Sequence, residues 1–410
     1  MKLLFVCDAA VKEDRLRCPG WVQGIATHLS ADFSVTFLSS ESFDPAGVEV
    51  SSIEGTAIGL LPYAAWNTPE QLCETVKREK ADVIVIFGTE KTYSLGALTL
   101  CEKAGLLDKT VIFSQGMALA CAKHYAEGVP CRVIRRWTFR DLLRRENIRV
   151  EQKKMEARAK NEKQIITAAR RFIGRTTMDE AIIRMYHPEA DYYRCNDILR
   201  SAFYQGAWRY DDCEKHRIFV SQYYYPLKGF HYLLEAAYLL KEKYPDLTIA
   251  AAGYNPILGS VAENELKDSS YIRYLKKLIR RYGLEKHIEL TGELDERQMK
   301  EQYLKANVFV LPSTIENSPN SLAEAMLLGV PCVASDVGGV SDFAEHRVDA
   351  YLYPSPATYL LARYVDEVFQ NPAEAARLGA NAKKRAERDY DTEKNAKALS
   401  DVFRAIAKNN

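Results

Sequence analysis

Glu316 and Glu324 stand eight residues apart in the run Glu316-Asn317-Ser318-Pro319-Asn320-Ser321-Leu322-Ala323-Glu324. A strand-like stretch, residues 306–312, precedes them, and a helix-like stretch ending in Gly329-Val330-Pro331 follows. A further strand-like run, residues 332–335, and a Gly338-Gly339 turn come next. Two carboxylates straddling a helix start behind a strand occupy the place where an open α/β sheet holds its ligand. Unpaired N–H groups at such a helix start can hold phosphate, and carboxylates nearby can grip sugar hydroxyls. Ser321 and Glu324 also have a purely structural reading, as a capping box whose acid suits the helix dipole. Glu316 lies ahead of the helix and has no capping role.

The elements that must position these residues are visible as an alternation. Residues 3–7, 35–38, 83–87 and 111–113 are strand candidates, separated by helix candidates at 21–29, 69–80 and 94–104. Weaker strands follow at 172–173 and 192–195. The pattern restarts with strands at 218–220, 247–251, 288–290, 308–311, 332–334 and 350–353, and helices such as 229–243 and 269–282. Strand–helix alternation predicts parallel, doubly wound sheets, and its restart predicts two of them. The join falls in the polar stretch 205–216, and 410 residues suffice for two domains of ordinary size. A helix-like tail, 391–408, follows a break at Tyr390.

Composition narrows the function classes. With 47% apolar residues the chain can fill two cores, and 56 basic against 55 acidic residues exert no overall pull toward nucleic acid. Nine scattered cysteines, an odd number with no C-x-x-C pair, read as free thiols of a reducing, cytoplasmic compartment. They offer neither a disulfide framework nor a zinc site. The apolar run at the N-terminus is too short for a signal peptide, and no run reaches a membrane span. Any membrane contact is therefore expected to be peripheral. Its candidate is the segment 132–163, where twelve Lys or Arg oppose five acids, leaving +7, with Trp137, Phe139, Leu142 and Leu143 interleaved. That segment reads either as a dock for an anionic membrane face or as a long solvated helix. The helix would be laced by pairs such as Glu151–Lys154 and Arg158–Glu162. The four apolar residues do not fall on one face of a continuous helix.

The segment around the two glutamates reads Pro-Ser-x-x-Glu-x7-Glu-Ala-x-x-x-Gly-x-Pro-x-Val-Ala-Ser-x-x-Gly-Gly from Pro312 to Gly339. It resembles the E-x7-E signature of retaining, nucleotide-sugar-dependent glycosyltransferases of the GT-B fold, family 4. The resemblance implies two doubly wound Rossmann-like domains facing across a cleft. Residues 1–210 would form the acceptor-side domain and 211–390 the nucleotide-sugar domain, with a last helix, 391–410, crossing back to the first. Glu324 would accept hydrogen bonds from the two ribose hydroxyls, and Glu316 would meet a hydroxyl of the transferred sugar. The backbone at Asn317, Ser318, Asn320, Ser321 and Leu322 would hold the sugar and the distal phosphate.

In Ser221-Gln222-Tyr223-Tyr224-Tyr225-Pro226-Leu227-Lys228-Gly229, the Lys-Gly pair matches the family's pyrophosphate-facing lysine. Gln222 takes the place of its usual arginine, with Arg175 and Arg200 as candidate substitutes. By the same resemblance Gly253 and Leu294 border the donor, Leu294 in the loop that packs on the base. Gly20 matches half of a glycine pair near the donor phosphates, Pro19 taking the other place. Gln115 in Ser114-Gln115-Gly116 stands where relatives carry a histidine, and His124 is nine residues on. The catalytic candidates are Lys228 and Glu316, with no metal, no cofactor and no general base named.

The implied substrates are a nucleoside-diphosphate sugar, with UDP or GDP as the nucleotide, and a glycan or lipid-linked acceptor. Around Gly174-Arg175-Thr176 and Asn196–Arg200 the chain looks like bacterial surface-polysaccharide glycosyltransferases. Two other readings remain: a donor-binding subunit of a glycan assembly complex, and another GT-B class such as a nucleotide-sugar epimerase.

Overall fold

A computed structural model describes residues 1–12, 15–17, 20–29, 33–41, 52–53, 56–57, 59–253 and 265–408. The chain forms two compact units. The first comprises Met1–Leu119, Ala157–Arg200 and Tyr390–Asn410, and the second comprises Ala120–Glu156 and Ser201–Asp389.

The first unit is built on a seven-stranded sheet in which every pairing is parallel. Its strands, in chain order, are Lys2–Cys7, Ser34–Ser39, Gly59–Leu61, Val83–Phe87, Thr110–Phe113, Arg171–Gly174 and Asp191–Arg194. Numbered along the chain, they lie in the order 3-2-1-4-5-6-7. Val83-Ile84-Val85-Ile86-Phe87 is buried throughout. A strand covered on both faces needs such an unbroken apolar run rather than alternation. The edge strand Gly59–Leu61 is half-buried and carries no comparable signal. The core around Phe5, Phe37, Phe87 and Phe113 also takes in Leu399, Val402, Phe403 and Ile406. Those four lie on the last helix, Thr392–Lys408, so the tail of the chain supplies core to the first unit.

Glu162 is fully buried in this unit. It accepts hydrogen bonds from Thr89 Oγ1 (2.5 Å), Ala118 N (3.1 Å) and Leu119 N (2.7 Å). It therefore closes the start of the helix Ala118–His124, and the expected Arg158–Glu162 surface pair gives way to this role. Burial pushes its carboxyl up to about 7, against the opposing pull of Thr89 and the two N–H groups. A carboxyl raised in the folded state binds its proton more tightly there than in the unfolded chain. That stabilisation is complete below about pH 4.5 and is lost as the pH rises through about 7. Wild type is thus expected to lose roughly 1–3 kcal/mol between pH 5 and 8 from this group. Glu162→Gln flattens that slope in thermal midpoints measured at the two pH values. An unchanged slope would remove Glu162 as its source.

The basic segment is not one helix. It breaks into Cys131–Ile134, Phe139–Arg144 and Ile148–Ala168. Thr138 starts the middle piece with a full capping box to Asp141. Phe139, Leu142 and Leu143 sit at i, i+3 and i+4 of one short helix, and Trp137, the residue that would fall on the opposite side of a continuous helix, lies before its start. The Glu151–Lys154 pair forms as expected, at 2.7 Å. Among the described residues no helix is long and apolar enough to cross a membrane.

The second unit holds a six-stranded sheet, again parallel in every pairing. Its strands are Arg217–Val220, Thr248–Ala252, Ile288–Gly292, Val308–Leu311, Cys332–Ser335 and Tyr351–Tyr353. Their order across the sheet is 3-2-1-4-5-6.

Candidate active site

In that order the winding reverses between the first strand and the fourth, which pair at Ile218↔Val308 and Phe219↔Phe309. At such a reversal the loops leaving the two strands diverge, and the crevice beyond their carboxyl ends is the natural ligand site of the fold. The two loops here are 221–229 and 312–319. They are fastened together, with Thr314 N donating to Leu227 O at 2.9 Å. Gly229 ends the short 3₁₀ turn Pro226–Lys228 with φ +61° and opens the helix Phe230–Leu240. A Cβ placed on Gly229 would lie 1.8 Å from the carbonyl oxygen of Pro312. Glycine is required here by both the backbone conformation and the close approach. Gly229→Ala is therefore expected to cost roughly 2–5 kcal/mol, combining left-handed strain with overpacking. A thermal midpoint equal to that of wild type would contradict this contact.

This junction brings together Lys228 and Glu316, which are far apart in the chain. Lys228 Nζ lies 2.6 Å from Glu316 Oε1, and Ser313 Oγ donates to the same oxygen at 2.7 Å. The two side chains are 18% and 13% exposed. Burial pulls the lysine's pKa down, but the Glu316 carboxylate and then the Tyr225 hydroxyl push it further up, and the net shift is upward. The result is a fixed ammonium held at the mouth of the crevice. The Gly338-Gly339 turn holds the other side of the loop, Gly339 N donating to Glu316 O at 3.0 Å.

The helix Asn320–Leu328 begins behind Pro319, which caps it without a side-chain hydrogen bond. The capping box open to Ser321 and Glu324 is therefore not made. Glu324 is the fifth residue of this helix and only 5% exposed. Tyr303 Oη donates to Ser321 O at 3.0 Å and lies 3.3 Å from Glu324 Oε2. Two polar atoms at the start of this helix, Ser318 Oγ in the preceding loop and Asn320 Oδ1 in the first turn, are buried without a hydrogen-bond partner.

Residues 210–385 match the family model described as glycosyl transferases group 1. This region is a group 1 glycosyl transferase domain. Among curated proteins, the chain is 24% identical over 186 residues to the amylovoran biosynthesis glycosyltransferase AmsK of Erwinia amylovora, covering 44% of this chain and 42% of that protein. The alignments to the first curated relatives span 30–45% of those proteins. Among solved structures, sucrose-phosphate synthase of Thermosynechococcus elongatus superposes with a TM-score of 0.71 at 16% identity, covering 100% of both chains. HepE of Anabaena, solved with UDP-glucose, gives 0.67 at 16% identity, covering 99% of this chain and 100% of that one. With two parallel Rossmann-like sheets in one chain, the fold is GT-B.

Within the glycosyl transferase domain, Gln222 Oε1 accepts from Tyr225 Oη at 3.1 Å. Gly253 has φ +121°, and a Cβ on it would lie 2.9 Å from Tyr224 Cε1, so its glycine has a steric cause. Leu294 is half-buried between the strand Ile288–Gly292 and the helix Glu296–Lys305, which Asp295 opens with a capping box. Asn317, Ser318 and Leu322 are buried, and Ser321 is half-buried. His124 pairs with Glu127 at 2.5 Å, and its side chain is 41% exposed.

In the first unit, Gly20 is the first residue of the helix Gly20–Leu29, while Cys18 and Pro19 lie outside the described residues. Arg175 does not replace the absent arginine. Its guanidinium is fully buried, ion-paired with Asp197 and donating to Gln115 Oε1 at 2.6 Å. Gln115, in the usual histidine's place, is thereby tied to Arg175, and Arg200 is half-buried. Ser313 and Tyr225, which complete the lysine–glutamate cluster, escaped the sequence reading. Ser313 had a signal in the Pro-Ser that opens the motif, whereas Tyr225 had none.

Proposed function

We propose that this protein is a retaining glycosyltransferase. It moves a sugar from a nucleoside-diphosphate sugar, with UDP or GDP as the nucleotide, to a glycan or lipid-linked acceptor in cell-surface polysaccharide synthesis. The Lys228–Glu316 pair, held at the winding reversal of the second unit's sheet, carries this reading. In the transfer, the bond between the anomeric carbon and the phosphate oxygen breaks while the acceptor oxygen bonds to that carbon on the same face. The acceptor proton passes to the departing phosphate oxygen, so no protein nucleophile is needed. The ammonium of Lys228 stabilises the charge that builds on the leaving diphosphate. Glu316 orients that ammonium and receives a sugar hydroxyl, and Glu324 receives the ribose diol. The backbone of 317–322 cradles the distal phosphate and sugar. The unpartnered Ser318 Oγ and Asn320 Oδ1 support a loop that a polar ligand completes. The amylovoran biosynthesis relative supports a polysaccharide setting, and the UDP-glucose held by HepE supports a nucleotide-sugar donor.

Gln222 favours a second reading, in which the chain binds donor as a subunit of an assembly complex without turning it over. A neutral amide supplies less field to the leaving group than the family's arginine. The test is a thermal-shift panel of UDP, GDP, ADP and their sugars, with and without magnesium, followed by acceptor-dependent sugar transfer. A shift from one nucleotide plus transfer with retention of anomeric configuration supports the enzyme. A shift without transfer supports the subunit. The absence of a shift with every nucleotide counts against both.

A further inference from the structure

Away from the Lys228–Glu316 junction, the second unit holds a cavity of about 560 Å³ between the helix Cys131–Ile134 and the helix Ser270–Tyr282. Among the described residues its lining contains Arg132, Arg136, Arg273, Lys277, Arg280 and Arg281 and no carboxylate. The helix contributes four of these cations and has no acidic residue along its length. Arg273 and Lys277 are spaced i,i+4, as are Lys277 and Arg281, so like charges face one another along the helix. The helix dipole favours the two arginines at its C-terminal end, but it gives no reason for Lys277. The basic segment is bolted to this helix. Thr138 Oγ1 donates to Asp268 O at 2.7 Å, and Ser270 N donates to Asp141 Oδ2 at 3.0 Å. Asp141 also receives Thr138 N, so one buried carboxylate closes the starts of both helices.

The helix fastened there, Phe139–Arg144, turns an apolar face outward. Phe139 is 54% exposed, Leu142 60% and Leu143 71%, with Trp137 beside them at 44%. Large apolar side chains grouped on one exposed face mark an interaction surface. A field of cations next to an apolar face matches the interface of an anionic bilayer, where phosphates meet acyl chains. We infer that this cationic cavity receives the phosphate headgroups of an anionic lipid surface while Trp137, Phe139, Leu142 and Leu143 enter its apolar layer. The surface thus includes the helix Ser270–Tyr282 as well as the segment 132–163, and it does not depend on the sugar-transfer reading.

The experiment is vesicle flotation of the full chain at about 0.1 M salt, a regime that screens distant surface charges. Vesicles of phosphatidylcholine alone are compared with equal parts phosphatidylcholine and phosphatidylglycerol. Wild type is expected to float only with the anionic vesicles. Lys277→Glu with Arg281→Glu, and separately Leu142→Ser with Leu143→Ser, should each lower the bound fraction about tenfold. Lys277→Gln serves as a milder variant where charge reversal disturbs folding. Flotation of all variants at the wild-type level overturns the proposal. So does a wild type that binds soluble inorganic pyrophosphate or a second protein but ignores both kinds of vesicle. Nucleotide thermal shifts run on the same samples separate the two ideas. A variant that loses vesicles but keeps its nucleotide shift supports the surface, and a missing shift in every sample speaks only against the donor site.

Discussion

Glu324→Ala is expected to lower donor affinity by a hundredfold or more while leaving the protein folded. A carboxylate receiving two ribose hydroxyls makes two charge-assisted hydrogen bonds, each worth roughly 1.5–3 kcal/mol. Their joint loss corresponds to about 10²–10⁴ in the dissociation constant. The competing role, a helix cap, predicts the reverse pattern: a lower thermal midpoint with unchanged affinity. Pro319, not Ser321, occupies the capping position, so little stability is at stake there. Titrating the nucleotide that shifts wild type against Glu324→Ala separates the two. A lowered midpoint with donor affinity intact would falsify the ribose role.

Lys228→Ala is expected to cut turnover by about 10²–10³ and to affect nucleotide affinity less. The charge it removes matters most as the diphosphate departs. Its loss also leaves Glu316, only 13% exposed, without its 2.6 Å ion-pair partner. The lysine's pKa is raised by the adjacent carboxylate, so its ammonium survives at alkaline pH. Turnover should accordingly show no loss from lysine deprotonation between about pH 7 and 9. Single-turnover measurements on the substituted enzyme give the decisive number. Normal turnover in Lys228→Ala would rule out its part in the chemistry.

Much of this was legible in the chain. Five strands of the second sheet could be placed from buried apolar runs, because strands covered on both faces leave little room for polar residues, whereas the edge strand Ile288–Gly292 carries the exposed Glu289 and a weaker signal. The glutamates, the Lys-Gly pair and the Gly-Gly turn stood in order along the sequence. Other features were hidden because they depend on contacts between distant residues. Glu162 looked like half of a surface pair, yet its partners are Thr89, Ala118 and Leu119. Arg175 looked available to a phosphate until Asp197 and Gln115 were seen to hold it. Trp137 spoils a single apolar face on a continuous helix, and its place beside Phe139, Leu142 and Leu143 emerges only once Thr138 restarts the helix and leaves Trp137 ahead of it. Gly229 read as half of a Lys-Gly motif, but its necessity comes from Pro312.

The position of the last helix bears on how the protein is made. The first unit's strand Lys2–Cys7 is translated before any residue of the second unit, but the first unit's core is closed by Leu399, Val402, Phe403 and Ile406. The second unit is contained within Ala120–Asp389, so all of its residues are translated before that helix. Of the two units, the one begun first is therefore the last able to finish folding. During synthesis its sheet waits with an apolar face uncovered, the kind of surface on which chaperones act.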